Sequence, residues 1–375
     1  MLENEGTRRG RLADGQQSRY TCSMDTNRAP SVIVVSHESA LRGIRFARCR
    51  YAALPWRSLS AREQRDAMAR ARASEQAVDL DELVRHGFCR SDDEGSRRTH
   101  LLASGTASRR RSERLSIHTM GANLPDGSLL EVSPGIFTVS VELAFIQCCS
   151  TLSFSNALAL GCELCGTFSM HEDISDSRAG GARSTDPSGY LETEPATTVA
   201  ALDRAAARMP RVRGIKMARS VIAHLLDGAR SPMEAIMAGI FHMPISLGGI
   251  GIGEMQLNRR IEFNQLASSA SGMPYAICDA FIPGAKVDLE YNGGYHADTV
   301  SRIHDENRSR GLNALGITVI ALNRDTLRDV EALEAIGRTI YRRAGMRYRD
   351  RSRESKVRRV RLLNGMREAF GLKPC

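Results

Sequence analysis

From Cys278 to His296 the chain reads Cys-Asp-Ala-Phe-Ile-Pro-Gly-Ala-Lys-Val-Asp-Leu-Glu-Tyr-Asn-Gly-Gly-Tyr-His, a short span that gathers carboxylates and a histidine. Val287, Leu289 and Tyr291 alternate with Asp288, Glu290 and Asn292, the period of two of a half-buried strand with its polar groups on one face. Carboxylates on a rigid strand supply the oxygen ligands that a hard divalent cation takes. Such a cation polarises a phosphoryl oxygen and lowers the pKa of bound water, which is the chemistry of phosphodiester hydrolysis. Asp279 and Glu290 are the candidate ligands, Tyr291 offers its carbonyl, and Glu234 is a candidate for the outer shell. His296 is the candidate proton shuttle, because an ordinary imidazole titrates near neutrality. Asp288 reads as solvent-exposed or paired with Lys286, and Asp305 with Arg308 as an i,i+3 ion pair.

The flanking sequence says how these groups are held. Ser231-Pro232-Met233-Glu234 opens a helix, with Ser as N-cap, Pro at the first helical position and Glu in capping-box register. The helix runs to about Phe241. The glycine run Gly248 to Gly253 does not fit a phosphate-cradling spacing and reads as a flexible turn. Strands follow near Gln256 to Glu262 and Tyr275 to Phe281, and Pro283-Gly284 turns the second into a strand from Lys286 to Tyr291, bringing Asp279 towards Glu290. Asp298 to Leu315 is a helix, Ile317 to Leu322 a buried strand, and Leu327 to Ile340 a last amphipathic helix.

The 375 residues, 42% of them hydrophobic, allow two to three domains of α/β or α+β type. Residues 1–30 read as a disordered basic leader, 31–174 as an N-terminal α/β region, 175–199 as a linker and 200–230 as a helical connector. Residues 231–345 form the domain that carries the carboxylates, and 346–375 a basic tail. The longest apolar run is well short of a membrane span, and the polar start lacks the core of a secretory signal, so a cytoplasmic location without membrane contact is expected. Nine scattered cysteines read as reduced thiols. Cys162 and Cys165 form a lone CxxC pair, short of the four ligands of structural zinc. The net charge of +9 is concentrated at the end, with thirteen Lys and Arg against three acids between Arg338 and Cys375. A basic strip interleaved with Tyr341 and Tyr348 suits phosphate neutralisation, with Arg342, Arg343, Arg347 and Arg349 as candidate nucleic-acid contacts.

The order of helix, hairpin, acidic strand, helix, strand and helix resembles the PD-(D/E)XK endonuclease superfamily, specifically the small branch similar to very-short-patch mismatch repair endonucleases. That branch has an Asp at a strand end, a Pro-containing turn, a strand ending Glu-x-Asp-Gly and a His soon after. Asp279, Pro283, Glu290-Tyr291-Asn292-Gly293 and His296 stand in those places here. Its Asp-x-x-Arg helix resembles Asp305 to Arg308, and its Gly-x-x-Val-Ile strand resembles Gly316 to Ile320. The resemblance covers roughly 231–341. It implies a restriction-endonuclease-like mixed sheet flanked by helices and metal-dependent cleavage of DNA with Mg²⁺ or Mn²⁺. It also implies catalytic places for Asp279, Glu290, Asn292, His296 and Glu234, and DNA contact by Arg308. Asn292 stands where the superfamily has Lys and the close branch Asp, and it can neither take a proton at neutral pH nor carry charge. An inactive, antitoxin-like nucleic-acid binder on a nuclease scaffold is therefore the alternative. The region from about Ser31 to Ala200 is faintly similar to a module related to abortive-infection antitoxins, which implies a protein partner there.

Overall fold

The protein is described from a computed structural model, which defines residues 32–74, 78–90, 98–104, 112–121, 123–170, 189–293, 299–350 and 352–375, with backbone alone at 299–302. Its first elements are β1 (Ile33–Val35), α1 (His37–Arg48), β2 (Arg57–Ser58), α2 (Ala61–Arg70), α3 (Leu80–Arg85), β3 (Thr99–Ala103), β4 (Leu115–Thr119), β5 (Leu129–Ser133) and β6 (Ile136–Val139). The strands form a mixed six-stranded sheet in the order β2-β5-β6-β1-β3-β4. The β-branched run Ile33, Val34 and Val35 is its central β1, parallel to β6 and antiparallel to β3. Its Val and Ile side chains are all buried, as befits β-branched residues in a strand covered on both faces.

Next come α4 (Val141–Cys148), α5 (Phe154–Cys165), β7 (Phe168–Met170), β8 (Tyr190–Glu192), α6 (Val199–Arg208) and α7 (Ile215–Ile222). β7 and β8 pair as a two-stranded ribbon, so part of the stretch that reads as a linker is strand. Cys162 and Cys165 are buried in α5.

The remaining elements are α8 (Pro232–His242), β9 (Gln256–Glu262), α9 (Gln265–Ser271), β10 (Tyr275–Ile282), β11 (Val287–Tyr291), α10 (Thr299–Ala314), β12 (Thr318–Leu322), α11 (Val330–Arg343) and α12 (Arg353–Ala369). Here β9, β10 and β11 run antiparallel and β12 lies parallel to β11. A parallel partner requires a crossover, and α10 supplies it. One face of this sheet packs Ala280, Ile282, Val287 and Leu289 into the large core that also contains β1 and α5. The other face joins Ala276 and Cys278 to Leu312 and Ile317 in a second, small cluster. The fold is thus α+β, with two mixed sheets among helices.

Two regions depart from the sequence reading. The glycine run is a close-packed turn: a Cβ on Gly249 would meet the Met243 carbonyl oxygen at 1.8 Å, so only glycine fits. Much of the basic tail is α12, packed on α5 and α8. Its Arg359 and Arg367 are buried, because Arg359 reaches Asp350 Oδ2 at 2.6 Å and the Gly249 carbonyl at 3.0 Å and also pairs with Glu334. Two of the tail's positive charges therefore serve the core, while Arg342, Arg343, Arg347 and Arg349 are exposed just before it.

Candidate functional site

Asp279 lies late in β10, opposite the last residues of β11. Its Oδ2 accepts the Tyr291 amide at 3.0 Å, which ties the carboxylate across the hairpin. Glu290 lies on the strand face turned to α10 and is ion-paired with Arg308, both side chains being about nine-tenths buried (12% and 11% exposed). Arg308 also donates to the Ile277 carbonyl at 2.9 Å. The i,i+3 partnership of Asp305 with Arg308 is thus replaced by a cross-element pair with the strand glutamate. Arg308 is held inside the site and is not offered to solvent.

Glu234 enters from the first turn of α8. Ser231 Oγ accepts its amide at 3.1 Å, as the capping pattern requires. The Glu234 carboxylate goes further, accepting from the Arg230 amide at 3.0 Å and Asn258 Nδ2 at 2.8 Å. Asn258 adopts φ 48° in β9 and also donates to the Gly228 carbonyl at 2.8 Å. It is a site residue that the sequence reading missed. The available signal was an Asn, tolerant of the left-handed region, inside an otherwise alternating strand.

Asp288 is the larger surprise. It is fully buried and neither carboxylate oxygen has a partner of good hydrogen-bond geometry. The Cys278 thiol and the Ala280 backbone are its polar company. Burial, and then the charge of Asp279, push its carboxyl up to about 7. Burial and Asp279 also raise Glu234. Burial raises Asp279, against the pull of the Tyr291 amide, Arg308 and Arg230. Burial and the neighbouring Asp288 push the Cys278 thiol up as well. Lys286 is exposed with φ 49° at the far end of β11. At ~3.3 Å per residue it is roughly 13 Å from Glu290, so it does not replace the lysine absent at Asn292. His296 lies outside the described residues.

A hard cation needs free oxygen ligands. Here Glu290 is neutralised by Arg308 and one oxygen of Asp279 is taken by an amide. Among the described residues, no three carboxylates come within 4.8 Å of one another. The set as it stands does not fit a bound Mg²⁺ or Mn²⁺. The group of metal-ligating side chains that does meet this distance is elsewhere: His37, His100 and His118, which the sequence reading did not single out.

Comparison of the chain with protein-family models, with curated proteins and with solved structures gave no match in any of the three. Function therefore rests on the geometry. No helix among the described residues is long and apolar enough to cross a membrane.

Proposed function

We propose that the protein binds DNA on a scaffold of the PD-(D/E)XK endonuclease type and that its carboxylate site is held closed by an internal cation, so that it engages DNA without cutting it. The observation that carries this reading is the Glu290–Arg308 pair. A guanidinium held against a buried carboxylate neutralises its charge, at the glutamate that the resemblance assigns to the metal. Two further features support it: Asn292 in place of a charged residue, and the order α8-β9-α9-β10-β11-α10-β12 with only the last strand parallel. The exposed Arg342, Arg343, Arg347 and Arg349 supply a sequence-independent hold on phosphates.

Two measurements on the full chain test this reading. Duplex binding should weaken with salt, and changing the four arginines to Gln should lower the slope of log K against log salt by about 3 to 4. An unchanged slope removes the arginines from the interface. Supercoiled plasmid with Mg²⁺ or Mn²⁺ should stay uncut.

The second reading, an active metal-dependent endonuclease, is favoured by Asp288, whose buried oxygens lack partners of good hydrogen-bond geometry and are of the kind a cation satisfies. Asp279, Glu290 and the Tyr291 carbonyl would then hold Mg²⁺, with Glu234 behind them, once Arg308 had left Glu290. The metal would supply polarisation of the phosphoryl oxygen and a more acidic water. Plasmid nicking that disappears in Asp279→Ala establishes this reading and removes the first.

A further inference from the structure

His37, His100 and His118 come from three elements, the first turn of α1 and the parallel strands β3 and β4. His100 Nδ1 lies 3.0 Å from His118 Nε2. The His37 and His118 rings stack with centroids 3.7 Å apart. One ring nitrogen from each histidine falls within 4.8 Å of the others.

Two independent features mark the place as built for a ligand. Gln147, 2% exposed at the end of α4, accepts the His37 amide on Oε1 at 3.1 Å, yet its Nε2 is buried without a partner. A buried donor left without an acceptor is costly, so folded proteins rarely keep one without a use. His37 itself stands at φ 52° on entering α1, a strained setting for a residue with a Cβ and one characteristic of functional positions. His37, His118 and Gln147 line a cavity of about 750 Å³ together with Arg208, Arg211 and Arg213.

We propose that His37, His100 and His118 form a binding site for a divalent transition metal of the Zn²⁺ class, with an open coordination position that faces the arginine-lined cavity and takes a phosphate-type anion. Three neutral nitrogen donors with a vacant fourth position are the ligand set of an open zinc site. Among the described residues no carboxylate joins the three histidines, and Arg213 acts on His37 and His118 while Arg42 and Arg98 act on His100. A dication is retained among those positive charges when an anion bridges it to the arginines, so metal and anion bind cooperatively. Gln147 Nε2 is placed to donate to that anion or to a metal-bound water. The alternative, two imidazoles sharing one proton, explains the 3.0 Å contact but neither the orphaned amide nor the cavity. This proposal uses no residue of the hairpin site, so it stands or falls separately from the proposed function.

The test uses the full chain stripped with chelator and titrated with Co²⁺, whose visible spectrum reports four-coordination. One Co²⁺ per chain is expected. His100→Gln and His118→Gln should each lower the affinity at least about tenfold, and Cys162→Ser with Cys165→Ser should leave it unchanged. Inorganic phosphate should tighten Co²⁺ binding and shift the spectrum in the wild type, and Arg213→Gln should remove that effect. Gln147→Leu should weaken binding by about tenfold, as expected of a supporting partner. A measurement on the wild type guards against variants that fail to fold: Zn²⁺ should protect these three histidines from acylation by diethyl pyrocarbonate. Absence of stoichiometric binding, binding undiminished in His118→Gln, or no protection overturns the metal site. An unaltered phosphate response in Arg213→Gln overturns the anion half.

Discussion

Two of the places where the molecule buries titratable side chains are provided for in opposite ways. At the β10–β11 hairpin the groups are acids, and the fold answers them from within: Arg308 for Glu290, the Tyr291 amide for Asp279, Asn258 and the Arg230 amide for Glu234. Around His37 the groups are bases that stay uncharged, the neighbouring charges are further cations, and the amide donor of Gln147 is left over. Apart from Asp288, whose buried oxygens lack partners of good geometry, the first cluster is complete without a ligand, and the second is not. A catalytic-looking sequence motif thus marks the more self-sufficient of the two, and a place with no motif marks the one with unmet demand.

The sharpest way to break this contrast is to remove the hairpin's internal cation. Arg308→Met leaves Glu290 without its partner and should lower stability by about 3–5 kcal/mol in denaturant titration, the usual cost of stranding one member of a buried pair. Adding Glu290→Gln should recover most of it. By contrast, His100→Gln should change stability by less than about 1 kcal/mol. If Arg308→Met proves as mild, the hairpin is not closed by its own charges.

Acid–base linkage gives the next largest effect, and the two regions should pull in opposite directions. The Asp288 carboxyl is raised to about 7 in the folded state, above its unfolded value. Its contribution is therefore fully present below about pH 4 and lost as pH rises through about 7. His37 and His118 are lowered by burial to about 3 and about 4, so the unfolded chain takes up their protons first. Their contribution is present above about pH 6.5 and lost as pH falls. The two slopes oppose each other between about pH 4 and 7. Relative to the wild type, Asp288→Asn should steepen the loss of stability on acidification, and His118→Gln should flatten it. The effect should be on the order of 2–4 kcal/mol for Asp288 and smaller for His118, which solvent in the cavity screens. Denaturant midpoints measured across that range decide it, and parallel profiles for the two variants would contradict it.

The smallest effect compares two strained backbones. Lys286→Gly should raise stability by about 0.5–1 kcal/mol by relieving φ 49°, with metal binding unaffected. His37→Gly relieves a similar strain and should nevertheless lose the metal. Equal Co²⁺ affinity in both variants would separate the strain at His37 from ligand binding.

Much of the C-terminal fold was legible because its elements carry strong local signals. Ser231-Pro232-Met233-Glu234 starts α8 as its capping pattern demands, Pro283-Gly284 turns the hairpin, and the alternation from Val287 to Tyr291 is the strand. The short helix α9 escaped notice because Gln265–Ser271 is small and polar, held by the Asn264 cap. Asp288 was misjudged because alternation tells which face a residue shares, not what covers that face, and here α10 and its Arg308 cover it. The histidines left no trace in the sequence because 62 residues separate His37 from His100 and only strand pairing brings them together. Arg359 was counted with a solvated basic strip because nothing local distinguishes a guanidinium bound for the core.

That arginine has a consequence for how the protein is made. Arg359 and its helix α12 seal α5, α8 and the Gly249 turn, all of which precede it in the chain. During synthesis the earlier elements emerge first and begin to organise, but their shared apolar faces stay uncovered until α12 follows them out of the ribosome. The closing of the core therefore waits on Arg353–Ala369, and a ribosome stalled before Arg353 would hold out an open, chaperone-attracting intermediate.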